Sequence, residues 1–192
     1  INLKCSPRDI LNHIRELQQS LLKDDCYIPN VSNCDEPDKA RSAKIKASSE
    51  KEGFEAINIV NGVSRPTDNC SNMWASDGIF KDGETISIDF IKSSDISQIV
   101  LIFDTNYNYT IKQTQNSKRQ KQQRIGIPTE LVKNYTIKLW KANAVVFEKN
   151  ICNNHQRLNV IDFPSVNCNK VTITVTETNG CEDVHIYEVR IY

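Results

Sequence analysis

From Ala43 onward, apolar and polar residues alternate with a period of two. The clearest stretch is Val171-Thr172-Ile173-Thr174-Val175-Thr176. A strand places alternate side chains on opposite faces, so Val171, Ile173 and Val175 form a core face and the threonines face outward. Ile137 and Leu139 repeat the pattern within Tyr135-Thr136-Ile137-Lys138-Leu139. Short β-branched and aromatic runs bounded by turn residues predict strands near Lys44–Ser48, Thr85–Phe90, Gln98–Asp104, Asn134–Lys141, Ala144–Lys149, Arg157–Phe163, Lys170–Thr176 and Val184–Tyr192. About eight short strands without intervening helices predict an all-β sandwich or barrel and exclude an α/β fold.

The front of the chain has a different period. Ser6 caps and Pro7 opens a helix, and Asp9 suits its positive end. Ile10, Ile14, Leu17 and Leu21 then fall on one helical face. That stripe packs on the sandwich or, as the sharper alternative, meets a partner. The expected organisation is a helix and loop segment over residues 1–42 and a sandwich domain over 43–192. The start at Ile1 to Cys5 reads as a cut inside a longer protein or as the end left by leader removal. Two long loops, Gly62 to Gly83 and Asn106 to Pro128, interrupt the strands. Loops of that length are usually functional or disordered.

Charge narrows the partners. The 192 residues carry 24 Lys and Arg against 24 Asp and Glu, so no basic excess exists to meet nucleic-acid phosphates. The Lys112 to Arg124 run, rich in Lys, Arg and Gln, lacks interleaved aromatics and reads as a solvated loop rather than an RNA or membrane contact. No apolar run approaches the ~20 residues that span a bilayer. The seven cysteines form no C-x-x-C pair, which argues against zinc. Cys26 with Cys34, or Cys152 with Cys168, suits disulfides in an oxidising compartment; the alternative is buried thiols packed as small hydrophobes. N-x-Ser/Thr sequons occur at Asn30, Asn69, Asn108 and Asn134.

Catalytic constellations are missing from the sequence. It has no G-x-S-x-G elbow, no glycine-rich phosphate loop and no H-E-x-x-H, and its histidines, His13, His155 and His185, are scattered. The chain by itself is therefore not expected to be an enzyme.

The segments Ala47-Ser48-Ser49, Ala56 to Gly62 and Trp74-Ala75-Ser76, with the ending Val184 to Tyr192, resemble discoidin-type, galactose-binding-like domains, which include the family 32 carbohydrate-binding modules. The resemblance covers about residues 43 to 192 and implies a jelly-roll sandwich that binds rather than reacts. A second resemblance adds Leu17 to Pro29, Asp38 to Arg41, Asn61 to Pro66, Phe103 to Thr105 and Thr178 to Gly180. These segments look like the C-terminal region of exported bacterial FAD-dependent oxidoreductases. It implies an accessory tail, exported and without FAD of its own, since the flavin fingerprint is absent. The family resemblance also implies that Trp74 is a core residue. It implies a structural calcium where the Asn61-Gly62 turn meets Glu188, although the family's Asp is here an Asn. The alternative for Asn61-Gly62 is simply a turn needing positive φ. Ligand sites in the family lie in loops at one end, which nominates Arg65, Asp68, Asn69, Asn106, Tyr107 and Arg124. The expected partner is a glycan; the alternative is docking onto the parent enzyme's flavin domain or a sister subunit.

Overall fold

The computed structural model describes residues 38–67, 71–78, 82–106, 109, 115–121 and 123–192. The predicted helix of Ile10 to Leu21 and the Cys26–Cys34 pair lie outside them.

The strands are β1 (Lys44–Ala47), β2 (Trp74–Ala75), β3 (Glu84–Phe103), β4 (Val132–Lys141), β5 (Ala144–Ile151), β6 (Leu158–Thr178) and β7 (His185–Ile191). All pair antiparallel in the order β2-β7-β3-β6-β4-β5, with β1 alongside β3. Eight expected strands thus become seven. Thr85–Phe90 and Gln98–Asp104 are two ends of β3, and Arg157–Phe163 and Lys170–Thr176 are two ends of β6. Their pairing slips between Asp89 and Ser94 and again between Ile96 and Gln98. Such irregularities bend a strand and change its twist. The bend lets one long strand pair serve both layers: the Glu84–Asp89 end of β3 pairs with β1, and its Ile99–Phe103 end pairs with β7. The Phe103 and Tyr135 rings meet edge to face at 5.1 Å, one from each layer.

The doubling of β3 decides where the loops go. Glu84, Val175 and Tyr135 are neighbours across three strands, and Phe103 packs on Tyr135. Both ends of β3 therefore lie at one end of the sandwich, together with the loops that precede and follow it. The bend lies at the other end, where Ser97 N–H donates to the carbonyl of the last residue, Tyr192, at 2.8 Å. Asp38 caps the 3-10 turn Lys39–Ser42 and also accepts from Ile191 N–H at 2.9 Å, tying the described start of the chain to its end.

The core follows the predicted alternation. Val171, Ile173, Val175, Ile137 and Leu139 are fully buried. The threonine face is not all open: Trp140 Nε1 donates to Thr172 Oγ1 at 2.9 Å and covers it. Trp74 is 0% exposed, as expected of a core residue. Its Nε1 donates to Ser49 O at 2.9 Å. The Ala-Ser-Ser and Trp-Ala-Ser segments prove to be one clasp. Ser48 Oγ and Ser49 Oγ both donate to the buried Glu84 carboxylate, and accept from Thr85 N–H and Asp77 N–H. Ser76 Oγ accepts from Val184 N–H at 2.8 Å, adding β7. Gly83 precedes Glu84 at φ 83°, and a Cβ there would sit 2.5 Å from the Val175 carbonyl, so the approach of the two strands requires glycine.

Of the two readings for Cys152 and Cys168, a disulfide or free thiols, the structure has free thiols. Cys168 is 0% exposed in the core, whereas Cys152 is an exposed free thiol. Burial pushes the Cys168 thiol up to about 11, so it packs as a small hydrophobe. Cys181 is also a free thiol.

Candidate functional site

At the loop end, the strand termini and two loops enclose a groove of about 270 Å³ lined by Phe54, Pro66, Ser71, Met73, Asp104, Asn106 and Tyr187. Its floor belongs to a small apolar cluster on the outer face of the sheet, where Ile102 and Tyr187 are buried and Met73 and Leu158 pack against them. Arg157 lies over the Tyr187 ring, 5.6 Å from its centroid, and its Nη2 donates to the Ser64 carbonyl. Phe54, Pro66 and Ser71 come from the loops before β2 and form one wall. Asp104 and Asn106, immediately after β3, form the other.

The polar wall is held by hydrogen bonds on every side. Asp104 Oδ1 accepts from Asn106 N–H at 2.7 Å, and Oδ2 lies 3.0 Å from His185 Nδ1. Asn106 sits at φ 47°, a left-handed conformation that asparagine tolerates better than most residues. Its Nδ2 donates to Glu130 Oε1 at 2.9 Å. Arg124 Nη1 donates to both Glu130 oxygens, at 2.8 and 2.7 Å, and Thr129 Oγ1 donates at 3.0 Å. Burial of Glu130 opposes its charge, but the Arg124, Asn106, Thr129 and backbone donors outweigh it and lower the carboxyl to about 2. Arg124 also stacks over Tyr109 at 4.9 Å. The Arg124–Glu130 pair thus latches the end of the long loop beside Asn106. That loop, expected to be structureless, contains one helical turn, α1 (Ser117–Gln120), capped by Asn116.

The nominated residues divide. Asn106 lines the groove. Arg124 is not among the described lining residues; its guanidinium donates to Glu130. Arg65 contributes its carbonyl, which accepts from Asn72 Nδ2 at 3.1 Å beside Pro66. Asp68, Asn69 and Tyr107 lie outside the described residues. Phe54, Met73, Asp104, His185 and Tyr187 were not nominated. The available signal was the aromatic at 187, two residues after a histidine and out of phase with Ile186.

Asn61 and Glu188 do not fit a calcium ion. Asn61 Oδ1 accepts from Val63 N–H at 2.7 Å and its Nδ2 donates to Asn72 at 3.1 Å. Gly62 takes the positive φ, 83°, that the turn requires. Glu188 is 2% exposed and its Oε1 accepts from Arg190 Nε at 2.6 Å. Calcium takes six to eight oxygens with carboxylates among them. Of these two residues only Glu188 is a carboxylate, and it is paired with Arg190. Among the described residues, no three His, Cys, Asp or Glu side chains are grouped to hold a metal ion.

No protein-family model and no curated protein matches the sequence. The chain does share its fold with solved galactose-binding-like β-sandwich modules. The lectin domain of lectinolysin, solved with Lewis B antigen, is 16% identical, with TM-score 0.61 over 81% of this chain and 96% of that one. The family 32 carbohydrate-binding module of C. perfringens NanJ, solved with galactose, gives 16% identity and TM-score 0.55 over 80% and 95%. A chitosan-binding module from a Paenibacillus sp. IK-5 chitosanase/glucanase gives 16% identity and TM-score 0.59 over 82% and 99%.

Proposed function

We propose that this chain is a glycan-recognition module whose ligand sits in the loop-end groove. The observation that carries the reading is the groove's composition. Phe54, Met73 and Tyr187 offer apolar surface to the C–H face of a sugar, while Asp104 and Asn106 face them with hydrogen-bonding groups. Small-ligand sites combine apolar walls with a few placed polar groups in this way. The solved modules of the same fold include ones bound to Lewis B antigen and galactose, which supports the reading. Among the described lining residues the only carboxylate is Asp104, and none is a Lys, Arg or His. Arg124 is engaged by Glu130, and Arg157 by Ser64 and Tyr187. Among the described lining residues an anionic sugar would therefore meet a carboxylate and no cation, which favours an uncharged sugar.

The test is titration calorimetry with L-fucose, D-galactose, a chitosan oligosaccharide and a sialylated trisaccharide. The expected result is binding of an uncharged sugar that Phe54→Ala or Asp104→Asn abolishes without lowering the melting temperature. A blank panel refutes the reading. The resemblance to the tail of FAD-dependent oxidoreductases further leads us to place the module as an accessory part of an exported enzyme. A docking role is the second reading, favoured by Val145 and Val146, 41% and 43% exposed on edge strand β5. Val145→Ser with Val146→Ser would then abolish co-purification with the flavin domain and spare sugar binding.

A further inference from the structure

A buried amide ties together the loop that forms one groove wall. Asn72 is 5% exposed and sits at φ 53° between two lining residues, Ser71 and Met73. Its Nδ2 donates to the Arg65 carbonyl at 3.1 Å and to Thr67 Oγ1 at 3.0 Å, the residues on either side of Pro66, a third lining residue. Its Oδ1 accepts from Asn61 Nδ2 at 3.1 Å, and Asn61 Oδ1 closes the turn on Val63 N–H at 2.7 Å. Asn72 therefore joins both ends of the loop that carries Pro66, Ser71 and Met73, beside the bonds from Asn58 Nδ2 to the Met73 carbonyl at 3.2 Å and from Ser71 Oγ to the Gly53 carbonyl at 2.9 Å.

We propose that Asn72 is the positioning residue of the groove, and that its amide does the work a bound cation would otherwise do. The two acceptors that meet at Nδ2, a carbonyl and a hydroxyl oxygen, are hard oxygen donors of the type calcium takes. With an amide N–H₂ between them, both are satisfied and the loop needs no metal. Glu188, the carboxylate that the resemblance assigns to calcium, accepts from Arg190 instead. The wall is then set by the chain itself, independently of the calcium around it.

Three variants test this by hydrogen–deuterium exchange of the segment 61–73, by thermal unfolding and by calorimetry with the sugar that the panel selects. Wild-type protein is expected to show the same exchange and melting temperature in EDTA and in millimolar calcium. Asn72→Ala loses two donated hydrogen bonds; at about 1 kcal/mol each, about tenfold or more should appear as faster exchange of 61–73 and, where sugar binds, weaker affinity. The β4 and β6 peptides should stay protected, which separates a positioning role from general unfolding. Asn72→Asp replaces donors by a carboxylate facing the Arg65 carbonyl; its loop should open in EDTA and close again in millimolar calcium. Calcium stabilisation of the wild type, or unchanged exchange of 61–73 in Asn72→Ala, would overturn the proposal. Exchange and calcium response are read without any sugar, so a blank sugar panel refutes the recognition reading alone.

Discussion

Replacing Glu130 by glutamine keeps the side chain's shape and removes its charge, which isolates what the carboxylate contributes. The Glu130 side chain is 10% exposed and accepts from Arg124, Asn106 and Thr129. Despite the opposing effect of burial, these donors hold its carboxyl at about 2, below the ordinary 4.5. At ~1.36 kcal/mol per pH unit that difference corresponds to about 3 kcal/mol. Arg124 is 43% exposed, and water screens its half of the pair, so about 1–2 kcal/mol is expected. The folded carboxyl is the stronger acid, so its contribution is complete above the unfolded value of 4.5 and fades as pH falls towards about 2. Urea denaturation of wild type and Glu130→Gln at a series of pH values should show a gap of ~1–2 kcal/mol at neutral pH, narrowing steadily below pH 4.5. A gap that stays constant down to the lowest pH at which the fold survives would refute the argument. The difference would then come from geometry or packing rather than charge.

Other outcomes follow from the clasp and the thiols. Glu84 is fully buried and receives both Ser48 and Ser49 hydroxyls; Glu84→Ala should cost about 2–4 kcal/mol in denaturant unfolding, through two orphaned hydroxyls and a cavity. In native protein, a thiol reagent at neutral pH should label exposed Cys152 quickly and reach Cys168 only after denaturation. Recovery of a Cys152–Cys168 peptide disulfide by mass spectrometry would contradict the placement of these residues.

The core was legible because period-two alternation states directly which side chains face inward, and Val171, Ile173 and Val175 obey it. Strand number was not. A bulged strand that crosses between layers contains polar and turn-like residues, such as Lys92-Ser93-Ser94, that read as a break between two strands. Trp74–Ala75 is too short to show a period at all. In the last strand the alternation slips by one: Ile186 faces the core, and so do Val189 and Ile191. The cause is the irregular pairing between Ile102 and Phe103 and their partners Glu188 and Ile186. That slip turns Tyr187 to the outer face, where it floors the groove, and leaves Glu188 and Arg190 as same-face neighbours that pair with each other. The extra residue is Tyr187 of β7 itself, and no local sequence signal marks it as a bulge, so the groove floor and the pairing of Glu188 were hidden together. Asn106 lines the groove because its position after β3 is itself a loop-end position, which the sequence shows. The Arg124–Glu130 pair was not legible, because the partner six residues on appears in the sequence as one more surface acid.

The groove divides its own labour in a way that bears on specificity. Asp104 follows the last residue of β3 and His185 opens β7, so their contact at 3.0 Å is fixed by two strands paired within the sheet. Met73 directly precedes β2, and Tyr187 lies within β7. These groups are set by the core, and moving them means moving Phe103 or Ile186, both fully buried. Pro66, Ser71 and Asn106 instead depend on side-chain clasps, Asn72 on one wall and Glu130 on the other. Substitutions at the clasps can therefore reshape the rim while the floor and the Asp104–His185 pair stay in place. Ligand choice in this module should accordingly be altered most readily through Asn72 and Glu130, residues that do not line the groove, at a cost in stability confined to the loops.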